Sequence, residues 1–265
     1  MTAIAPAATG AYESLAPWYD AFTAGSDYEA WTTHSLALAR SYGLRGTRLL
    51  DVACGTGKSF MPFLARGFEA TGCDNSPAML AQAAGKAPGV ALVEADMRNL
   101  PELGRFDLVT CFDDSLNYLL EPDDLRATLA SMARNLGDSG LLVFDLNTLL
   151  AYRTTFAVDA VSTHEEITFL WRGNSSPEAS PGCRASARIE VFAGRSDGLF
   201  DHSAGEHRQR HFAPHLVTTL IGLAGLDCLG VHGVLDDGSP VAEPDETRQL
   251  KVMYVARLAK GGDHV

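Results

Sequence analysis

An apolar run that ends in a glycine turn, LLDVACGTGKS from Leu49 to Ser59, offers backbone amides to a ligand, and its last three residues are of the types that grip phosphate. A triphosphate loop needs a glycine five positions before its GK pair, so that amides wrap the phosphates along the whole curve. That position is Val52. A dinucleotide loop needs G-x-G-x-x-G, the third glycine permitting close packing of helix on strand. Here Gly55-x-Gly57 is followed at that place by the bulky Phe60. Both phosphate readings are weak, and Lys58 and Ser59 read as the opening of the next helix.

The surrounding pattern shows what must position this loop. Tyr12 to Tyr42 reads as two helices separated by a break at Ala24-Gly25-Ser26. RLLDVAC (48–54) reads as a strand, KSFMPFLARG as a helix ending at Gly67, and FEATGCD (68–74) as a second strand. Ser76 and Pro77 have the types of an N-cap and a first helical position for SPAMLAQAAGKA. VALVEAD (90–96) and FDLVTCFD (106–113) follow as strands. DDLRATLASMARNLGDSG reads as a helix closed at Gly140, and LLVFDLN (141–147) as another strand. Such alternation with short connections predicts an α/β fold with a parallel sheet covered on both faces. Residues 151–211 change character: EEITFLWRG, RASARIEVFAG and GEHRQRHF alternate like antiparallel strands between turn-rich stretches. A helix at 213–225 and strands near LDCLGVHGV and QLKVMYVARL close the pattern, while residues 1–11 and the final GGDHV are expected to be disordered or frayed.

D-x-A-C-G-T-G closing an apolar strand, with the acid Asp74 at the end of the next, resembles the class I S-adenosylmethionine-dependent methyltransferases. The resemblance implies a Rossmann-like seven-stranded sheet with helices on both faces. Its core would span 12–150 and 212–260, with an N-terminal helical lid (12–45) and an inserted antiparallel region (151–211). It also implies S-adenosyl-L-methionine as cofactor and S-adenosyl-L-homocysteine as product. Ala53, Gly55 and Gly57 would let the backbone approach the cofactor, and the Asp74 carboxylate would accept the ribose hydroxyls. Asn75 and Met79 would flank the adenine, Asp96 would accept its amino group and the Met97 amide would face the ring. Phe112 would stand at the end of the fourth strand, beside cofactor and acceptor.

Within that family, YESLAPWYDAF, DYEAW, SLNYLLE and EHRQRHFAPHLVTTLIGLAGL resemble small-molecule N-methyltransferases of amino-sugar and lincosamide antibiotic pathways. That likeness implies Tyr12 and Tyr19 as lid tyrosines near the sulfonium and Trp31 against the methionine portion. It also implies an inserted sheet that lines the acceptor pocket or mediates contacts in a homo-oligomer. Asn117 stands where amino-sugar enzymes often have histidine, so His207 becomes the alternative base. An amine acceptor needs little help, because its neutral form is the nucleophile. Asp113 and Asp114 are candidates for binding a cationic acceptor, and Phe112, Tyr118, Phe169 and Trp171 for lining the pocket. An O-methyltransferase and a non-catalytic cofactor-binding scaffold remain the alternatives.

Bulk properties narrow the partners. The chain has 265 residues, 46% hydrophobic, with a formal net charge of -12, and contains no Lys/Arg run suited to nucleic-acid phosphates. A small-molecule acceptor fits better. The five cysteines lack C-x-x-C spacing and read as reduced thiols, and no metal-ligand cluster is evident. No stretch approaches the ~18 apolar residues that cross a bilayer, and no basic leader is visible, so a cytoplasmic protein without membrane partners is expected.

Overall fold

The computed structural model describes residues 9–259. The expected disorder of residues 1–8 and of the end of the chain from 260 lies outside the described residues. Thr9 to Ala11, expected in the disordered tail, instead belong to a helix, α1 (Thr9–Leu15). The first predicted helix is broken: Pro17 enters a 3-10 turn (Ala16–Trp18) before α2 (Tyr19–Phe22), and its missing N–H interrupts the hydrogen-bond ladder. Asp27 then caps α3 (Tyr28–Ser41), accepting from the Ala30 amide at 2.8 Å.

The core alternates β1 (Arg48–Val52), α4 (Met61–Ala65), β2 (Glu69–Asp74), α5 (Pro77–Lys86), β3 (Ala91–Glu94), β4 (Phe106–Cys111), α6 (Pro122–Ala133) and β5 (Leu136–Asn147). Lys58 to Phe60 form turns, so α4 starts later than predicted. The largest boundary error is at α6. Asn135 ends that helix by accepting from the Leu103 amide at 2.7 Å and donating to Pro101 and Ser131 carbonyls. Gly140, read as the helix stop, lies inside β5, where a Cβ would sit 2.5 Å from the Phe106 carbonyl oxygen.

After α7 (Leu149–Arg153) comes an antiparallel sheet of β6 (Asp159–His164), β7 (Ile167–Asn174), β8 (Arg184–Gly194) and β9 (Phe200–Arg210). The chain returns through α8 (Pro214–Leu223) and ends in β10 (Leu226–Val234), β11 (Pro240–Val241) and β12 (Lys251–Leu258). The large sheet has the order β11-β10-β12-β5-β4-β1-β2-β3. It has eight strands where seven were expected, because the turn after β10 folds back and pairs Gly233 with Val241 as a two-residue edge strand. The strands β3, β2, β1, β4 and β5 are parallel, and β12 runs antiparallel to β5. Apolar clusters cover both faces of this sheet, as a parallel sheet requires.

Two features of the topology make a site. The strand order reverses between β1 and β4, which opens a crevice at their carboxyl ends. The smaller sheet carries the lid: Leu15 packs with Phe169, Ile189 and Val191, and Ser203 Oγ donates to the Ser14 carbonyl at 2.7 Å. Among the described residues no helix is long and apolar enough to cross a membrane.

Candidate active site

The turn after β1 holds three residues in the left-handed region, Ala53 (φ 56°), Gly55 (φ 52°) and Gly57 (φ 84°). For Ala53 this conformation is strained, and such strain collects at ligand-binding turns. Gly57 also lies over the Phe60 ring, where a Cβ would come within 2.6 Å. Beneath the turn, Ser59 and Thr110 hydroxyls donate to the fully buried Asp51 carboxylate, and burial pushes that carboxyl up to about 6. Asp74 ties the turn to α5, accepting from the Gly55 amide at 2.8 Å and the Ser76 amide at 2.9 Å. Burial raises the Asp74 carboxyl above its ordinary value.

These residues wall a cavity that brings together Tyr12, Tyr19, Ala53, Gly55, Asp74, Asn75, Met79 and Met97. Val52, Cys73, Ala95, Ser115 and Tyr118 complete the lining. The lining combines glycine-turn backbone, one carboxylate, two thioethers and three tyrosines. Burial pushes the Cys73 thiol up to about 12, so it serves as an apolar wall.

The other expected positions are elsewhere. Asp96 is not in the cavity lining: Arg98 holds its carboxylate at 3.0 and 2.6 Å and keeps it below the usual carboxylate range. Trp31 and Phe112 meet edge to face, with ring centroids 5.9 Å apart, and line a neighbouring cleft. The catalytic reading of Asn117 is corrected by its burial. Its amide donates to the Arg210 carbonyl at 2.8 Å and accepts from the Asn147 amide at 2.9 Å, so both ends fasten backbone.

The lid closes over the cavity through side chains. Tyr12 donates to Tyr118 at 2.8 Å, and Tyr118 lies 2.9 Å from Nδ1 of His207. His207 is 2% exposed, its Nε2 has no partner, and burial holds the imidazole down to about 4. Burial raises Tyr12, Tyr19 and Tyr118 well above the ordinary tyrosine value. Lys58, read as incidental, donates to the Thr23 carbonyl and hydroxyl at 2.9 Å and so joins the glycine turn to the lid. Glu13 accepts from Ser76 Oγ at 2.6 Å, while Asp20 accepts from Thr56 and Lys86.

At the end of β4, Asp113 (φ 63°) and Asp114 (φ 51°) are both left-handed, a geometry costing on the order of 1–3 kcal/mol each. Their amides donate to the buried Asp145 at 2.8 and 3.0 Å, which holds the turn. Lys251 Nζ lies 2.6 Å from Asp114 and 2.8 Å from Asp145 because β12 pairs Lys251 with Asn147. Three carboxyl groups thus face one ammonium. Tyr28, which the motif reading passed over, donates to Asp113 at 2.7 Å, with Tyr19 at 3.4 Å. The doubled acid was visible in sequence; its counter-ion, 137 residues from Asp114, left no local signal.

A doubly wound sheet with a glycine turn, a strand-end acid and a cavity beneath the N-terminal helices defines the class I methyltransferase fold. Residues 49–140 match the methyltransferase domain family. A putative methyltransferase of Geobacillus sp. (strain WCH70) is 32% identical over 253 residues, covering 93% of this chain and 99% of that one. The dTDP-3-amino-3,6-dideoxy-alpha-D-glucopyranose N,N-dimethyltransferase of Streptomyces fradiae is 31% identical over 76% of this chain and 78% of its own. The sugar N-methyltransferase KedS8 from Streptoalloteichus sp ATCC 53650 superposes with a TM-score of 0.71 at 25% identity, covering 90% of this chain and 92% of that one. The chain belongs to the S-adenosylmethionine-dependent methyltransferases. Its methyl donor is S-adenosylmethionine and its acceptor a small molecule.

Proposed function

We propose that this enzyme methylates an amine of a small-molecule metabolite, in the manner that the printed names of its sugar N-methyltransferase relatives suggest, and that it serves natural-product assembly. The observation that carries the reading is the basicity of the groups around the lid. His207 is held down to about 4, and the tyrosines are raised beyond easy ionisation. Deprotonating an alcohol calls for a base poised near the working pH. A neutral amine attacks without one, and desolvation under an aromatic lid favours the neutral form.

S-adenosylmethionine, when bound, supplies an electrophilic methyl group on a sulfonium, and a nucleophile takes it by in-line displacement. On this reading Asp74 holds the ribose hydroxyls, and Asn75, Met79 and Met97 enclose the adenine. The backbone of Ala53 and Gly55 follows the tail. The Asp74 carboxylate has lone pairs beyond the two it spends on Gly55 and Ser76, and it faces the cavity, so the residues fit the cofactor. Tyr12, Tyr19 and Tyr118 orient the acceptor and exclude water, and His207 fixes Tyr118. Asp96 is assigned to the Arg98 turn and not to the adenine.

The test is transfer from methyl-labelled cofactor to matched acceptors, an amino sugar or amino acid derivative and its hydroxyl counterpart. Label in the amine supports the reading. Label confined to the hydroxyl compound overturns it in favour of O-methylation.

A further inference from the structure

Beyond the lid tyrosines lies a cleft of about 370 Å³ that contains His207, Asp113, Asp114 and Lys251. A second cleft, between α3 and the β10–β11 turn, meets it at Ser26, Asp113, Leu250 and Lys251. The chemistry of the combined lining is one-sided. Asp27, Asp113, Asp114, Asp236 and Asp237 supply carboxylates. Among the described lining residues the only ammonium or guanidinium is Lys251, already paired with Asp114 and Asp145. None of the seventeen arginines in the sequence lines either cleft.

Recognition of a nucleoside diphosphate needs unspent arginine or lysine, or a helix start with free amides. The start of α3, the longest helix at these clefts, already carries the Asp27 carboxylate as its cap. A phosphate there would meet like charge. A second feature bears on the occupant: His207 lines the larger cleft, and its buried Nε2 has no hydrogen-bond partner within the protein. Because Tyr118 accepts from Tyr12, its own proton is directed to Nδ1 of His207. Nε2 then carries the hydrogen and calls for an oxygen or neutral nitrogen on the ligand.

Resting on the amine reading above, we propose that the acceptor is a di- or polyamine with no nucleotide or phosphate handle, whose second ammonium sits against Asp113. The reacting nitrogen has to be neutral to attack, so the charge at Asp113 belongs to another nitrogen of the same molecule. Asp113 is the one carboxylate among the four residues common to both clefts, and its side chain is 38% exposed, compared with 0% for Asp145. The preference departs from the dTDP-linked substrate in the name of the Streptomyces fradiae relative.

The experiment is calorimetric titration of the full chain, loaded with S-adenosylhomocysteine, with spermidine, 2-deoxystreptamine and dTDP. At least one of the two cations should bind ten times more tightly than dTDP, and Asp113→Asn should weaken that binding tenfold or more while S-adenosylhomocysteine affinity stays within twofold. Tighter binding of dTDP overturns the proposal, as does failure of both cations to bind. So does an Asp113→Asn effect confined to S-adenosylhomocysteine, which would assign the carboxylate to the cofactor. The comparison on the unsubstituted protein stands even if the variant misfolds. A turnover assay with labelled cofactor separates the two readings: a cation that binds but takes no label on nitrogen sinks N-methylation alone. A dTDP-linked amino sugar labelled with higher kcat/KM than the free amino sugar sinks the cation preference alone.

Discussion

Asp20 on the lid and Lys86 at the end of α5 meet at 2.6 Å. The contact ties the N-terminal helices to α5, and Thr56 of the glycine turn donates to the other Asp20 oxygen at 2.6 Å. Lys86 holds the Asp20 carboxyl below its usual range, against the opposing effect of its partial burial. Both partners are partly exposed, so the pair is worth only about 0.2–1 kcal/mol. Lys86→Ala should therefore speed release of S-adenosylhomocysteine about two- to fivefold, and salt should reproduce the effect in the unsubstituted protein. Stopped-flow release rates at low and high ionic strength check this; a salt-independent rate would break the link.

Asp74 is a linchpin of a different kind, with two backbone amides depending on its charge. Asp74→Asn replaces one acceptor oxygen by a donor and should cost about 1–3 kcal/mol of stability. Cofactor affinity should fall about tenfold or more by the same reasoning. Thermal unfolding with and without cofactor, together with calorimetry, measures both. Unchanged affinity in a folded variant would remove Asp74 from the cofactor site.

Asp51 gives the fold a pH dependence of defined sign. Its folded pKa, about 6, lies above the 3.8 of a free aspartate, so the native state binds the extra proton. That contribution is fully present below 3.8 and is lost as pH rises through 6, up to about 3 kcal/mol. Asp51→Asn should flatten this part of the stability curve between pH 4 and 6.5, as roughly bracketed by those two values. Denaturant midpoints across that range test it; parallel curves for the two proteins would refute the assignment.

His207 separates amine from alcohol chemistry kinetically. If it only fixes Tyr118, His207→Ala should lower kcat by less than about tenfold and leave the pH–rate profile governed by the amine. Loss of about a thousandfold, with the acidic limb abolished, would identify a true base. Tyr118→Phe should mimic His207→Ala, because it cuts the same hydrogen bond.

The sequence exposed what is local along the chain and concealed what depends on register. The glycine turn, Asp74, Asn75 and Met79 fall within 27 residues, 53–79, so spacing alone could associate them. Tyr12 and Tyr19 were legible only through the family resemblance, and both line the cavity. The contact that Asp96 makes was not legible, because the residue that takes its carboxylate, Arg98, lies two positions on, inside a 3-10 turn with no periodic signature. Asn117 misled because proximity to the end of β4 says nothing of its two backbone partners, Arg210 and Asn147. Lys251 was invisible for a related reason: its place is set by antiparallel pairing with β5, which no short motif encodes.

That pairing also bears on when the site comes into being during synthesis. A nascent chain that has emerged only through β9 already contains the glycine turn, the lid and both strained aspartates. It lacks the cation that lets Asp113, Asp114 and Asp145 crowd together. Mutual repulsion of three carboxylates opposes the left-handed turn until β12 slides in beside β5. The one ammonium that these three carboxylates share therefore arrives with β12, after every other part of the turn is in the chain.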